Sequence, residues 1–275
     1  MASGALGDWG EWIGARVGEF SASIHFLTRL PLPRHEAPAA PGAAATAGAG
    51  ATGANLAQAA WAFPLSGFVV GLIAAITYAV ADKLVLATWP AAALTLLATL
   101  LITGALHEDG LADTADGFGG GDTRERKLAI MRDSRIGTYG VCALVLSFLI
   151  RVGALASLAD PAAVAAALIG AHAAARALLP LLMFFLPPAR SEGLSHAAGT
   201  PARENAAAGA VLGFLILIGC IGFAPAAVTA IVLAIVLAVV ARLSAAQIGG
   251  QSGDICGALE QIGEIAVLLA ASTTG

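Results

Sequence analysis

Residues 206–241 have the sequence AAAGAVLGFLILIGCIGFAPAAVTAIVLAIVLAVVA and contain no charged side chain. A helix that crosses a lipid bilayer needs about 20 predominantly apolar residues, so this run is long enough for two crossings. We predict spanning helices at 206–224 and 225–244, joined by a short connector. A chain that carries such a pair is expected to be an integral membrane protein.

Other segments on both sides of this run share its apolar character. Of the 275 residues, 58% are hydrophobic and only 12% are charged, which is too apolar for an ordinary soluble domain. The sequence therefore predicts an all-α fold, a polytopic integral membrane helical bundle of about six to seven transmembrane helices with an amphipathic N-terminal helix. The further predicted spans are 62–81, 85–106, 139–159, 161–187 and a shorter segment, 257–272, that crosses the bilayer or re-enters it.

The amino-terminal part of the chain differs from the predicted spans. In residues 1–30, apolar side chains recur at helical spacing with Arg16 and Glu19 between them, which predicts an amphipathic helix in the membrane interface. Residues 31–56 are mainly Ala, Gly, Pro and Thr, and we predict a flexible linker there. Residues 57–275 contain all the predicted spans and are predicted to form a single membrane-embedded domain, which the motifs described below make the catalytic domain.

Basic residues are distributed unequally between the two sides of the predicted bundle. Of the 14 Lys and Arg residues, all but Lys83, Arg151 and Arg176 fall in the amino-terminal segment, at a helix end or in connectors on a single side. The positive-inside rule makes that side cytoplasmic. The net charge of −4 and the lack of a basic stripe argue against nucleic acid as a partner. The lipid bilayer is the expected partner, and the sequence leaves a homo-oligomer open.

Charged residues concentrate in residues 106–140, LHEDGLADTADGFGGGDTRERKLAIMRDSRIGTYG. Asp109, Asp113 and Asp116 are four and three residues apart, so they share one face if the second spanning helix continues through them. Like charges on one face repel each other unless a cation lies between them, and hard oxygen ligands favour Mg²⁺ or Mn²⁺. A phosphate-bearing substrate would suit such a site. A solvated acidic loop is the alternative interpretation.

Arginine residues and a second acidic motif extend this candidate site. Arg132 and Arg135 follow the first motif and suit phosphate oxygens. The second motif, IGGQSGDICGALEQIGE at 248–264, contains Asp254 and Glu260, and we expect it to fold against the first. Carboxylates within a membrane helix are costly and indicate function. Three residues at membrane depth are expected to line a substrate cavity or to pair with acids: Arg151, His172 and Arg176.

The motif LHEDGLADTADGFGG, followed by IMRDSRIGTYG, resembles the cobalamin synthase family, the adenosylcobinamide-GDP ribazoletransferases. The resemblance covers nearly the whole chain. It includes FLTRLPLP at 26–33, FPLSG at 63–67, LPPARSEGL at 186–194 and GGQSGDICGALEQIGE at 249–264. The departures are slight, since Ala105 stands where the family commonly has Gly, Ser252 where Thr is usual, and the linker is long.

The resemblance implies a Mg²⁺-dependent enzyme of the bacterial inner membrane, with an active site that faces the cytoplasm. Such an enzyme joins adenosylcobinamide-GDP to α-ribazole or α-ribazole 5′-phosphate and releases GMP, in the nucleotide-loop assembly step of cobalamin biosynthesis. The family's acidic motif corresponds to residues 108–116, with Asp133 as a further candidate. The expected metal ligands are Asp109, Asp113 and Asp116; the expected proton acceptor is Glu108 or Asp133; the expected substrate-binding residues are Arg132, Arg135, Arg176, Asp254 and Glu260.

Three other classes of membrane protein share some of these features. An intramembrane prenyltransferase also binds a diphosphate with Asp-rich motifs and Mg²⁺. The sequence DTADG at 113–117 resembles the opening of the CDP-alcohol phosphotransferase motif, but the continuation of that motif is absent. A transporter would place its charges near the bilayer midplane of paired repeats, and the sequence has no internal repeat.

Overall fold

The computed structural model describes residues 2–31 and 53–273, and helices account for almost all of both ranges. The helices are α1 (Ala2–Leu27), α2 (Gly53–Ala59), α3 (Phe63–Lys83), α4 (Thr88–Thr103), α5 (Leu106–Gly120), α6 (Arg124–Ile130), α7 (Thr138–Leu158), α8 (Pro161–Phe185), α9 (Leu194–Ala198), α10 (Arg203–Ile221), α11 (Phe223–Ile248) and α12 (Gly253–Ser272). A short 3₁₀ turn, Ala60–Ala62, joins α2 to α3.

Six segments of the described chain are long and apolar enough to cross a membrane, which confirms the all-α, polytopic membrane fold. They are Leu56–Lys83, which contains α3, together with α7, α8, α10, α11 and α12. The last predicted segment, 257–272, is therefore part of a helix of spanning length. A bent pair, α4 and α5, would make a seventh crossing if the two helices together formed one span.

The second predicted span does not continue straight into the acidic motif. The chain bends by 92° between α4 and α5. The break lies at Gly104 and Ala105, which have left-handed φ values of 67° and 57°. The acidic residues still share one helix, as predicted, but that helix is α5 and it runs across the axis of α4.

Helix α8 occupies the centre of the bundle. In the most apolar stretch of α8, 78% of the residues are buried inside the protein. In the corresponding stretch of α11, which lies at the periphery, only 17% are buried. Glycines bring α3 close to it, because a Cβ added to Gly71 would lie 2.6 Å from Ile169 Cα. The peripheral helices α7, α10 and α11 instead expose large apolar side chains, as expected of surfaces in contact with lipid. Examples are Leu146, Leu149, Val211, Leu215, Ile231 and Ile235.

The amino-terminal segment is helical, as predicted, and is not one of the six spanning segments, while its place in the membrane interface stays a prediction. Trp9 and Trp12 are more than half exposed, whereas Ile24 and Leu27 near its carboxyl end are buried in the bundle. The structure also shortens the predicted linker, because α2 begins at Gly53, within its last residues. The rest of that linker, residues 32–52, lies outside the described residues.

Candidate active site

The two acidic motifs meet where α5 crosses α12, as the sequence predicts. Gly110 and Gly257 lie at this crossing, and a Cβ on Gly257 would come within 3.1 Å of Gly110 Cα and 3.0 Å of the His107 carbonyl oxygen. The backbones can approach this closely only because neither position carries a side chain. Asp109 on α5 and Asp254 on α12 are consequently brought to the same cavity.

This cavity lies beside the α5–α12 crossing and is partly open, with about 950 Å³ of space that includes solvent at its mouth. One part of its wall is apolar, because several of its apolar side chains pack together, and charged and hydrogen-bonding side chains line the rest. The apolar lining includes Phe26, Leu27, Phe63, Leu106, Leu179 and Met183. The polar lining includes Asp109, Arg190, Glu192, Ser195, His196 and Asp254. A cavity of this kind can hold a ligand with a large apolar body and a charged group.

Asp113 is the most electrostatically crowded carboxylate near the cavity. It lies on α5, outside the six spanning helices. Burial raises the pKa of the Asp113 carboxyl to about 7, and the negative charges of Asp109 and Asp254 act in the same direction. A bound cation would relieve this repulsion, and the all-oxygen donor set fits Mg²⁺. The residues present are therefore chemically suited to the expected metal, with Asp254 as an additional ligand.

Asp116 lies at the far end of the same helix face and already has two hydrogen-bond donors. Its carboxylate accepts the backbone N–H of Gly137 at 2.7 Å and that of Gly140 at 2.8 Å. Both glycines make room for it, since a Cβ at either position would collide with the carboxylate. Asp116 thus fastens the start of α7 to α5, in addition to any part it has in metal binding.

Glu108 points away from the cavity, into the centre of the bundle. It is 5% exposed and accepts a hydrogen bond from Arg151 Nη1 at 3.2 Å. The same Arg151 atom lies 3.2 Å from Glu264 Oε1 on α12. An arginine at membrane depth thus pairs with two acids, which is one of the two outcomes that the sequence predicts for it. This bridge joins α5, α7 and α12.

Arg176 and Glu260 also form a buried pair and do not line the cavity. Arg176 Nη1 is 2.6 Å from Glu260 Oε1, a close contact of opposite charges without good hydrogen-bond alignment. His172 Nδ1 lies 3.2 Å from Glu264 Oε2 and joins this pair to the Arg151 bridge. The substrate-binding role expected of Arg176 and Glu260 would therefore require this pair to open.

Three of these buried residues, His172, Glu260 and Glu264, are close enough to hold a metal ion. No other such group occurs in the part of the chain that the structure describes, so the Asp109, Asp113 and Asp116 oxygens do not converge as a preformed three-ligand site. Arg151 and Arg176 already lie against the two glutamates. Because a metal would have to displace guanidinium groups in the buried interior, the ion-pair interpretation is the better one.

Asp133, Arg132 and Arg135 lie on the connector between α6 and α7. Arg135 donates three hydrogen bonds to Asp133, two from its guanidinium and one from its backbone N–H, and they lower the pKa of the Asp133 carboxyl to about 2. Arg132 contacts Glu192 at 3.6 Å, and both side chains are more than half exposed. Arg132 and Glu192 line a second cavity next to the first. The predicted residues thus divide among two cavities, a surface pair and a buried network.

Arg190 is a site residue that the sequence does not predict. Its Nη2 donates a hydrogen bond to Asp254 Oδ2 at 3.2 Å, and its side chain lines both cavities. The stretch LPPARSEGL contributes to the family resemblance, but from the sequence its arginine is only one of the cytoplasmic cations. The contact depends on an isolated β-bridge between Pro188 and Gln251, which periodicity cannot predict.

The fold and the site define a polytopic membrane protein whose acidic motifs meet beside a large cavity. The sequence profile of the family described as cobalamin-5-phosphate synthase matches residues 19–272. The chain belongs to this family.

Relatives of known name cover nearly the same length. The chain is 50% identical over 256 residues to the adenosylcobinamide-GDP ribazoletransferase of Bradyrhizobium diazoefficiens, covering 93% of this chain and 94% of the relative. It is 52% identical to the protein of the same name from Mesorhizobium japonicum, over 93% of each chain. No solved structure matches.

Proposed function

We propose that the protein is an adenosylcobinamide-GDP ribazoletransferase whose active site is the cavity beside the α5–α12 crossing. The family membership and the names of the relatives support the activity. One structural observation carries the assignment of the site. Asp109 and Asp254 line the same cavity, and part of the wall of that cavity is apolar. A corrinoid with a nucleoside diphosphate has the matching chemistry, because it joins a bulky ring system to a charged group.

The reaction is a displacement at phosphorus. The 3′-hydroxyl oxygen of α-ribazole, or of its 5′-phosphate, forms a bond to the phosphorus attached to the cobinamide arm. The bond from that phosphorus to the GMP oxygen breaks, and the hydroxyl proton passes to a base. Such a displacement depends mainly on positioning and on neutralisation of the diphosphate charge. We propose that Asp109, Asp113 and Asp116, helped by Asp254, hold Mg²⁺, which supplies charge neutralisation when bound.

The two candidate proton acceptors have different surroundings. Neither Glu108 nor Asp133 lines the main cavity. Glu108 is paired with buried Arg151, so in this conformation it positions α5. Asp133 is more accessible but is a weak base because its pKa is lowered to about 2. The role of proton acceptor stays a prediction for both, and Asp133→Asn tests it directly through the rate of GMP release.

We propose that the enzyme lies in the bacterial inner membrane with the cavity open to the cytoplasm. The positive-inside distribution supports this orientation. Arg124, Arg132 and Arg190 come from segments between spanning helices that the rule places on the cytoplasmic side, and they lie near one another around the α8–α9 connector. A soluble nucleotide substrate would reach the cavity from that side. The homo-oligomer stays a prediction.

The deciding experiment uses purified protein in detergent or nanodiscs, supplied with adenosylcobinamide-GDP and α-ribazole. We expect GMP release that needs Mg²⁺ and stops with EDTA. Asp113→Asn should fold like the wild type and lose turnover, because the substitution removes a ligand charge from a partly exposed position. No GMP release, together with consumption of a prenyl diphosphate, would instead favour the prenyltransferase alternative, which the family membership disfavours.

A further inference from the structure

We propose that Arg190 binds the diphosphate of the substrate and exchanges its contact with Asp254 for this anion. The inference rests on the proposed function and extends it to a residue outside the predicted ligand set. Arg190 touches the acidic cluster at one carboxylate, since its Nη2 lies 3.2 Å from Asp254 Oδ2. The guanidinium therefore lies next to the place where the metal-bound phosphates are expected.

The backbone around Arg190 is held on both sides. The Ala189 N–H donates to the Gln251 carbonyl at 2.7 Å, and the Gln251 N–H donates to the Pro187 carbonyl at 2.8 Å. Arg124 Nη2 donates to the Ala189 carbonyl at 3.0 Å. Because this backbone is already held, anion binding by Arg190 costs little further backbone entropy, which favours recognition of an anion.

The side chain of Arg190 still has hydrogen-bonding capacity to offer. Its Nε is buried and has no hydrogen-bond partner among the described residues. One guanidinium nitrogen contacts Asp254, and that carboxylate oxygen also accepts the Ser252 hydroxyl at 3.2 Å. Asp254 would therefore retain a donor if Arg190 turned to a phosphate. Guanidinium groups favour such contacts because their planar donors match phosphate oxygens.

The position of Arg190 between the two cavities makes it accessible to a ligand. The segment 188–193 separates the main cavity from the second one, and Arg190 lines both of them. Its side chain is 15% exposed, compared with 1% for Arg151 and Arg176. A substrate that enters from either side meets Arg190 without opening the buried ion-pair network.

The test compares wild type, Arg190→Gln and Arg190→Lys in nanodiscs with Mg²⁺. α-Ribazole is the acceptor because it carries no phosphate. We expect Arg190→Gln to raise KM for adenosylcobinamide-GDP about tenfold or more, as for loss of a charge-assisted hydrogen bond. KM for α-ribazole should change less than about threefold, since no charged contact is lost. For Arg190→Lys, KM for adenosylcobinamide-GDP should lie between the values for the wild type and for Arg190→Gln.

Two further measurements separate this inference from the proposed function. Calorimetric titration with GDP and Mg²⁺ measures anion binding without turnover, and Arg190→Gln should bind GDP about tenfold more weakly. Arg203→Gln is the matched control, because Arg203 is an exposed arginine at the start of α10 that lines neither cavity. If the wild type is active and Arg190→Gln shows wild-type KM and GDP affinity, the inference is wrong. If the wild type releases no GMP but Arg190→Gln still weakens GDP binding, only the proposed activity fails.

Discussion

Gly110 on α5 and Gly257 on α12 lie in backbone contact, with no room for a side chain at either position. Association of helices in a bilayer depends on close packing, because lipid is as apolar as the side chains that it surrounds. This crossing connects the first acidic motif to the second. The composition of the cavity therefore depends on two residues that have no side-chain chemistry of their own.

Substitution at this crossing should separate the two motifs. We expect Gly257→Ala to lower the free energy of unfolding by about 1–3 kcal/mol through overpacking, and to abolish GMP release. Gly120→Ala on α5 is the matched control, because a Cβ there meets only Ile130 at an ordinary 3.5 Å. Thermal unfolding in detergent and the GMP assay measure the two effects. Equal behaviour of the two variants would show that the crossing is not tightly packed.

The buried bridge made by Arg151 should be costly to break. Arg151→Met leaves Glu108 and Glu264 without their shared cation in the bundle interior. We expect the free energy of unfolding to fall by about 3–5 kcal/mol. The control is Arg132→Met, which breaks a 3.6 Å contact between exposed side chains and should cost at most about 1 kcal/mol. Denaturant or thermal unfolding compares them. If the free energy of unfolding falls by a similarly small amount in both variants, the buried ion-pair interpretation is wrong.

Ala105 has a backbone conformation that suits glycine better. Its φ of 57° lies in the left-handed region, which costs an ordinary L-residue about 1–2 kcal/mol. We expect Ala105→Gly to raise the unfolding free energy slightly, because relief of this strain exceeds the added flexibility of the unfolded chain. Ala129→Gly, inside α6, should instead lower it by about 0.5–1 kcal/mol. A lower melting temperature for Ala105→Gly would mean that the bend is not strained.

The hydrogen bonds from α7 to Asp116 predict a specific effect at Gly140. A Cβ at Gly140 would collide with the Asp116 carboxylate, so Gly140→Ala should displace that side chain. We expect both the melting temperature and the rate of GMP release to fall. Gly153→Ala lies on the same helix, where a Cβ meets nothing within 4 Å, and should keep the rate of GMP release and raise the unfolding free energy by about 0.5–1 kcal/mol. If Gly140→Ala behaves in the same way, Asp116 does not hold the start of α7.

Much of the fold follows from local sequence properties. The apolar segments have the length of the bilayer core, so their number and approximate ends could be predicted from composition alone. The bend between α4 and α5 could not be predicted, because it depends on left-handed conformations at Gly104 and Ala105. Helical spacing within α5 is unaffected by the bend, which is why the shared face of Asp109 and Asp113 is retained.

The candidate site was only partly predictable. The acidic motif is a local pattern, so its residues follow from the sequence alone. The sequence also predicted that the charges at membrane depth either pair with acids or line a cavity. It did not determine which acids pair with Arg151 and Arg176, because those contacts join residues distant in the chain. The role of Arg190 was not predictable for the same reason.

The sequence by itself determined a helical membrane protein with an acidic motif on one helix, and the resemblance of its motifs indicated the family. These properties depend on local composition, helical spacing and motif order. Only the tertiary structure decided that Asp109, Asp254 and Arg190 share a cavity while Glu108, Arg176 and Glu260 lie in a buried network. The physical reason is that glycine contacts such as Gly110 with Gly257 set the distances between helices, and those distances decide which charges meet.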